Sequence, residues 1–503
     1  MSEEHASYRA RRVFTPTEMA ALDQQLVASG VAPLALMDRA ASACVRAIRA
    51  RYARRPVKVL CGPGQNGGDG WAVAHMLRRL GWPVTLHAAV GPTRLSGAAR
   101  EAAARYGTDP LALAALTLEP GDLIVDALFG AGLTRAVAGV IENTLTRVRK
   151  SGLPVVAIDL PSGVHGVTGE VLGTACPADV TVTFHARKPG HLLHPGARFC
   201  GELVVADIGL PRAQPTHWHN GLGLWRLPEP GAATHKYDRG AVLVVSGGAV
   251  MSGAARLAAL TAARAGAGAV TIASPVSALE THAAHLDAVM VRAVHNNEAL
   301  VELIGQKPAS VVIGPGLGTN PVIKARVLDV LGTKRPAVVD ADALTLFEDE
   351  PEALFAALHP ACVLTPHEGE FARLFKGVEG DKCARARAAT ERAGCTVVLK
   401  GPDTVIASPG HATVISTHGT PWLATAGSGD ALAGIIAAFL AQGLAPPLAA
   451  SAGCFVHAEC GRLSGPGLTA DDLPWLTGDA YAGLLRRQHA MDRAAMDRAK
   501  PRA

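Results

Sequence analysis

The sequence predicts an α/β protein with two domains, each built on a mainly parallel sheet with helices on both faces. Three observations predict it. Short, strongly apolar runs alternate with segments of helical period in two separate series. Each series carries a glycine-rich turn running into a helix: "CGPGQNGGDGW" at 61–71 and "AGSGD" at 426–430. Between the series, residues 212–227 have prolines, glycines and histidines but no apolar period, and read as a linker.

Composition bounds what the chain can be. Its 503 residues are too many for one core. A hydrophobic fraction of 49% against 18% charged residues is that of a globular protein. The net charge of +5 is scattered; dense basic runs occur only at Arg9–Arg12 and in the Arg-rich tail, 486–503. That argues against a nucleic-acid face. Nine cysteines without a CxxC pair, and no apolar export segment at the N-terminus, point to the cytoplasm. The uncharged stretch 431–458 is interrupted by Gln442, Pro446, Pro447 and His457, so it reads as two buried helices rather than a membrane span.

The elements follow in order. Residues 17–53 show helical spacing. The runs "VKVLCG", "PVTLHAAV", "DLIVDALFG", "PVVAIDLPSG", "VTVTFHA" and "GELVVADIG" read as strands of the first sheet, a pattern that stops near Pro211. The second series is "GAVLVVSGG", "AGAVTIAS", "ASVVIGPGLG", "PAVVDADAL", "ACVLTPHEGE", "TVVLKGPDT" and "ATVIST". The two halves show no internal repeat.

Ligands of such sheets bind beyond the carboxyl ends of the strands. The first half contains the literal pattern Gly62-x-Gly64-x-x-Gly67, yet the next strand ends without the acid of an ordinary dinucleotide site. Asp126 and Asp159 each end an apolar run and are expected to converge on the rim that holds Gly67 and Gly68. Asn66, Asp126 and Ser162 together offer oxygen ligands for a hard cation; single strand-end aspartates also cap loops. In the second half, Gly427, Ser428, Gly429 and Asp430 precede a helix, which suits an anion hole with a carboxylate able to deprotonate a hydroxyl attacking a phosphoryl group. An Asp cap beside flexible glycines gives the same pattern. Lys400 ends another strand.

The motifs "LMDRAA", "QNGGDG", "DALFGAGL", "IDLPSG", "HARKPGHLLHPG" and "GELVVADIGLP", in that order, resemble the NAD(P)H-hydrate epimerase domain, the YjeF N-terminal type, here residues 1–211. The resemblance implies a Rossmann-like three-layer sandwich that interconverts the C6 epimers of hydrated NADH and NADPH. It implies that Gln65, Asn66, Gly67, Gly68 and Asp69 hold the ligand, together with the turn Gly130, Ala131, Gly132, Leu133, Thr134, Arg135 and Ala136. Asn66, Asp126 and Ser162 fall on potassium-ligand positions, and Asp159 on the position that meets the nicotinamide end and transfers the proton; Lys188 is a second candidate. Gln65 replaces a usual Asn, and His165 and Val167 replace usual acids in "PSGVHGVTG".

"GAARLAALTAARAGAGAVTIAS", "VIGPGLG", "VVDADAL", "LTPHEGEFARL" and "LKGPDT", ending in "GSGD", resemble the NAD(P)H-hydrate dehydratase domain, here residues 228–485. The resemblance implies a ribokinase-like α/β domain that uses ADP with Mg²⁺ to phosphorylate the C6 hydroxyl and then eliminates phosphate. It places Ala254, Gly318, His367 and Asp430 on the hydrate side, with Asp430 catalytic. It places Lys400, Gly401, Pro402, Asp403, Thr404 and Gly429 on the nucleotide side. A homo-oligomer is expected, with NADHX, NADPHX and ADP as its small-molecule partners and neither nucleic acid nor membrane. Three other readings stay open: a hydroxymethylpyrimidine-type kinase, a non-catalytic N-terminal binding module, and a metalloprotein using His191, His194, His217 and His219, whose spacing matches no known ligand set.

Overall fold

Every apolar run named above pairs in one of two sheets, because runs this apolar are stable only when both faces are covered. The computed structural model describes residues 11–306 and 308–499, the side chains of 498 and 499 excepted. The polar N-terminal stretch, with Arg9, and residues 500–503 lie outside the described residues. The chain divides into two units at His217/Trp218.

In the N-terminal unit, helices α1 (Pro16–Ala28) and α2 (Pro33–Arg51) precede the sheet. Strands β1 (Val57–Cys61), β2 (Val84–Ala88), β3 (Leu111–Ala112), β4 (Leu123–Ala127), β5 (Val155–Ile158), β6 (Val180–Phe184) and β7 (Glu202–Ala206) form it. Helices α3 (Gln65–Arg79), α4 (Gly97–Tyr106) and α5 (Gly139–Ser151) lie between them. The spatial order is β3-β2-β1-β4-β5-β6-β7, all parallel. Chain order reverses between β1 and β4, so the crevice at their carboxyl ends is the switch point where such sheets bind ligands. Helix α3 starts there without a side-chain cap. It sits close because a Cβ at Gly67 would strike the Gly62 carbonyl, and one at Gly68 would come 2.5 Å from Met37 Cε. The first turn is pinned by packing, with Trp71 fully buried behind it and edge-on to Tyr106 at 5.5 Å.

In the C-terminal unit the strands are β8 (Ala241–Val245), β9 (Ala269–Pro275), β10 (Met290–Val294), β11 (Ser310–Ile313), β12 (Ala337–Val339), β13 (Cys362–Leu364), β14 (Thr396–Leu399), β15 (Thr404–Ala407) and β16 (Thr413–Ser416). Their order is β16-β15-β14-β13-β12-β11-β8-β9-β10. The ladder is parallel from β10 to β14 and antiparallel from β14 through β16. Among its helices are α6 (Ser252–Arg264), α7 (Glu368–Leu374), α8 (Lys382–Ala393), α9 (Ser428–Ala441), α10 (Pro446–Ser464) and α11 (Leu473–Ala499). Helix α9 is apolar all round because it is buried all round, packed against α6, α10 and the sheet. Among the described residues no helix is long and apolar enough to cross a membrane.

Two expectations about chain organisation meet a different arrangement. Leu222, Trp225 and Leu227, inside the expected linker, are buried in the C-terminal core. Trp225 packs on Phe455 at 5.5 Å and donates to Asn220 Oδ1 at 2.8 Å. The expected tail is helical to Ala499: Arg487 pairs with Glu459 at 2.7 Å, and Gln488 accepts from Leu227 N at 2.9 Å. The apolar residues at 222, 224, 225 and 227 show no period, because an irregular segment buries them one at a time. A fragment starting at residue 213 should therefore fold, whereas one starting at Leu227 loses Trp225. By the scale of core Trp truncations its melting temperature should fall by roughly 10 °C or more, measurable by calorimetry.

Two candidate active sites

A cleft of about 760 Å³ opens at the switch point of the N-terminal sheet, a size suited to a small-molecule ligand. Its wall takes Asp23 from α1, Asn66 and Asp69 from α3, the turn after β4, and Asp159 and Lys188. Asp159 follows β5 with φ of +65, a left-handed conformation rare for a residue with a Cβ. That turn aims the carboxylate at three donors. Oδ1 accepts from Lys188 Nζ at 2.7 Å and Thr183 Oγ1 at 3.0 Å, and Oδ2 accepts from Ala131 N at 2.9 Å. Burial would raise its pKa, but the Lys188 ammonium and these hydrogen bonds outweigh burial and hold it at about 2. Lys188 is itself buried and also donates to Thr183 Oγ1 at 2.8 Å and Phe184 O at 3.3 Å. Asp69, by contrast, is pushed well up by burial and by the charges of Asp159 and Asp23. Ionisation is thus favoured at Asp159 and disfavoured at Asp69 within one cleft wall.

Beneath the cleft, Asp126 and Ser162 are buried together. Asp126 Oδ1 accepts from Ser162 Oγ at 2.6 Å and Leu128 N at 3.2 Å, and Oδ2 from Ser162 N at 2.9 Å. Ser162 Oγ also accepts from Phe129 N at 2.8 Å. Burial raises the Asp126 pKa and only hydrogen bonds oppose it, with no cationic side chain contributing. Asn66 lies nearby in the same wall, since a Cβ at Gly130 would sit 3.1 Å from its Oδ1 and 2.8 Å from Asp159 Oδ2. Its Nδ2 is buried with no partner.

Of the residues singled out in the sequence, Gln65, Asn66, Asp69, Asp159 and the run from Gly130 to Arg135 line the cleft. Gly67 and Gly68 sit inside the helix packing instead, and Ala136 is not part of the lining. Asp23 was not visible in the sequence because α1 lies outside every motif. His165 closes its own turn: Nδ1 accepts from Thr168 N at 3.1 Å, the job of a turn carboxylate. Neither His165 nor Val167 lines the cleft, so the two lost acids are not missing from its wall. Of the metalloprotein histidines, His191 accepts from Lys188 N and its Nε2 meets Asp159 O at 2.7 Å. Among the described residues no group of three or more His, Cys, Asp or Glu could hold a metal ion.

In the C-terminal unit the carboxyl ends of β12, β13 and β14 meet the start of α9. Gly427, with φ of +87, lets the chain turn so that Ser428, Gly429 and Asp430 form the first turn of α9. Lys400 Nζ donates to Asp340 Oδ1 at 2.8 Å, with Glu370 Oε2 at 3.9 Å. A Cβ at Gly429 would lie 3.3 Å from Lys400 Nζ, so the ammonium sits against the turn. At the start of α9, burial of Asp430 opposes the pull of the helix dipole. Burial wins: reinforced by Asp340 and only partly offset by Lys400, it pushes the carboxyl up to about 6.

The other expected residues divide. Gly318 N donates to Asp342 Oδ2 at 2.8 Å, and Ala254 lies against Gly316. His367 caps α7, its Nδ1 accepting from Gly369 N at 3.0 Å and Glu370 N at 3.2 Å. Asp403 is buried on Lys382 Nζ at 2.6 Å, and Thr404 Oγ1 donates to Gly401 O at 2.8 Å. The "KGPDT" segment is therefore a turn closed by Thr404 and tied to α8 by Asp403. Asp340, Asp342, Glu370 and Lys382 were not assigned from the sequence.

Comparison with known proteins gives matches over both units. A family model described as YjeF-related protein N-terminus matches residues 33–190, and one described as NAD(P)H-hydrate dehydratase matches residues 242–470. The bifunctional NAD(P)H-hydrate repair enzyme Nnr of Coxiella burnetii is 36% identical over 451 residues, 87% of this chain and 91% of the relative. The enzyme of the same name from Thermofilum pendens is 35% identical over 496 residues, 93% of this chain and 94% of the relative. Among solved structures, an ADP/ATP-dependent NAD(P)H-hydrate dehydratase from Bacillus subtilis, co-crystallised with ATP and Mg²⁺, is 27% identical. It covers 51% of this chain and 94% of that one, with a TM-score of 0.45.

The geometry around Asp159 makes a direct prediction. With Lys188→Met, burial acts on Asp159 unopposed by the ammonium, so its carboxyl should titrate well above the native value of about 2. Carbon-13 NMR of labelled aspartate carboxyls should show this; a value unchanged in the variant would refute the pairing.

Proposed function

The chain belongs to the family of bifunctional NAD(P)H-hydrate repair enzymes, and from that premise we propose which residues carry each half of the repair. The enzyme interconverts the epimers of hydrated NAD(P)H and dehydrates the hydrate to NAD(P)H. The observation that carries the assignment is the opposite displacement of two strand-end or helix-start acids, Asp159 held down at about 2 and Asp430 pushed up to about 6.

In the N-terminal unit the C6 hydroxyl leaves as water, its C6–O bond breaking with a proton taken from Asp69. Positive charge is then shared between C6 and N1, facing the Asp159 carboxylate. Water adds to the other face, its proton passes to Asp159, and that proton returns to Asp69 between turnovers. Asn66, Asp126 and Ser162 would hold K⁺, and they fit it. Asp126 is a buried carboxylate with no cationic neighbour, and the unpartnered amide end of Asn66 becomes an oxygen donor if the amide is reversed. Bound there, the ion supplies the missing counter-charge.

In the C-terminal unit Asp430 takes the proton of the C6 hydroxyl as its oxygen attacks the terminal phosphoryl group of ADP. The new O–P bond forms and AMP leaves. Loss of phosphate from C6 and of a proton from C5 restores the ring double bond. The N–H groups at the start of α9 and the Lys400 ammonium face the transferring group. Mg²⁺ would supply charge neutralisation on the nucleotide phosphates; among the described residues no group of three or more His, Cys, Asp or Glu is preformed to hold it. The cysteines, all free and buried, support a cytoplasmic setting.

Two measurements test the division of labour. Asp430→Asn should lose on the order of a hundred- to ten-thousand-fold in dehydratase turnover and keep epimerisation, while Asp159→Asn does the reverse. Loss of both activities in either variant would refute it. Replacing K⁺ with a bulky organic cation should slow epimerisation and leave dehydration of the pure S form unchanged; equal epimerisation rates would remove the potassium site.

A further inference from the structure

A three-residue segment at the end of β12 carries two carboxylates that face different ways. The chain turns at Ala341, whose φ of +49 is unusual for a residue with a Cβ. Before it, Asp340 is buried on Lys400. After it, Asp342 accepts from Gly318 N at 2.8 Å. The turn is over-determined: Asp340 N donates to Ile313 O at 3.1 Å, Ala343 N donates to Asp340 O at 3.1 Å, and a Cβ at Gly314 would strike that same carbonyl. Strain held this firmly beside a reactive group is characteristic of functional sites. The second oxygen of Asp340 is not spent on Lys400. It lies 3.6 Å from where a Cβ of Gly429 would stand, facing the turn that carries Asp430.

We propose that Asp340 is a positioning residue for the dehydration, anchoring Lys400 against the Gly427–Asp430 turn and keeping the Asp430 carboxylate a competent proton acceptor at neutral pH. The inference rests on Asp430 being the base. A lysine placed alone beside Asp430 would bind the carboxylate and weaken it as a base. Tied to Asp340, its charge is shared, and the like charge of Asp340 opposes ionisation of Asp430. Lys400 nevertheless keeps its charge: burial would lower its pKa, but Asp340 and Glu370 raise it. The ammonium is then present for the phosphoryl group without capturing the base.

The charged groups around Asp430 come from every neighbouring element. Asp340 and Asp342 follow β12, Lys400 follows β14, and Glu370 lies on α7. Helix α10 presents His457, bonded to Ser428 Oγ at 3.0 Å and held neutral by burial, with its pKa lowered to about 4. Helix α6 carries Arg256, bonded to Ser252 Oγ at 2.9 Å, and Arg264, stacked 3.9 Å over Trp475. Asp471 and Asp472 lie in the 3₁₀ turn beside Gly427.

The test is the pH profile of kcat/KM for dehydration in the full-length enzyme. The native acid limb should lie near pH 6, because the base is lost as Asp430 protonates. In Asp340→Asn, which keeps the shape and removes the charge, the limb should move down by about one unit while the plateau falls roughly tenfold. In Lys400→Gln the limb should move up. Epimerase activity of the same samples reports that the chain is intact. A lowered plateau with an unmoved limb in Asp340→Asn would mean a merely structural role and overturn the proposal. If that variant does not fold, an unmoved limb in Lys400→Gln overturns it instead. A native limb far from 6, or one that survives in Asp430→Asn, would sink the base assignment and the proposal together, a result distinct from failure of Asp340 alone.

Discussion

A lysine buried against a strand-end aspartate organises both sites, and the opposite chemistry of the two units follows from where the reactive carboxylate stands in that pair. Lys188 binds Asp159 itself, so the carboxylate proposed to react is the lysine's own partner and stays ionised. Lys400 binds Asp340, so Asp430, the carboxylate proposed to react there, is left with a like-charged neighbour and its proton affinity rises. Lys400 keeps its charge because Asp340 and Glu370 outweigh its burial. An anion able to face a developing cation and a base poised near neutral pH are thus two uses of one ion pair.

The parallel sheets explain why such pairs can form. Each strand delivers its last residue to the same edge, so acids and lysines far apart in sequence meet there without long loops. Two of the backbone turns at that edge are strained, at Asp159 and at Ala341, each directly at or beside an acid. The glycines of 61–71 serve this edge in a different way from a phosphate cradle. A Cβ at Gly62, Gly67, Gly68 or Gly70 would meet atoms of neighbouring segments, whereas one at Gly64 would meet nothing. Most of that glycine-rich stretch exists so that α3 can start close to the sheet. The anion-friendly feature is the uncapped helix start that results.

Much of this was legible in the sequence, and the boundary of legibility is physical. Strands announced themselves because burial on both faces demands continuous apolar runs, and Asp126, Asp159 and Asp430 because each ends a run or opens a helix. Partnership was not legible. Asp159 and Lys188 are separated by 29 positions and Lys400 and Asp340 by 60, and nothing local in either stretch specifies the pairing. Short strands such as Thr404–Ala407 and Met290–Val294 escaped for a related reason: flanking polar residues hid them and only the sheet stabilises them. Whether an acid replaced by His165 or Val167 faces a cleft or closes a turn depends on tertiary placement, which no local pattern specifies. Here an imidazole nitrogen closes the turn as a carboxylate would.

The charge distribution in the N-terminal cleft also constrains how any dinucleotide can enter it. Asp23, Asp69 and Asp159 share the wall with one buried cation, Lys188, whose charge Asp159 already uses. The excess negative charge is why burial and mutual repulsion push Asp69 and Asp23 upward. A phosphate brought to that wall would add a like charge to carboxylates already short of partners. The exception is Arg135, exposed on the turn after β4, which favours an anion beside it. A ligand with a neutral ring at one end and phosphates at the other therefore meets fewest like charges with its ring toward Asp159 and its phosphates toward Arg135. A site whose charges orient the ligand in this way has no need of an acid at the end of β2, which carries none.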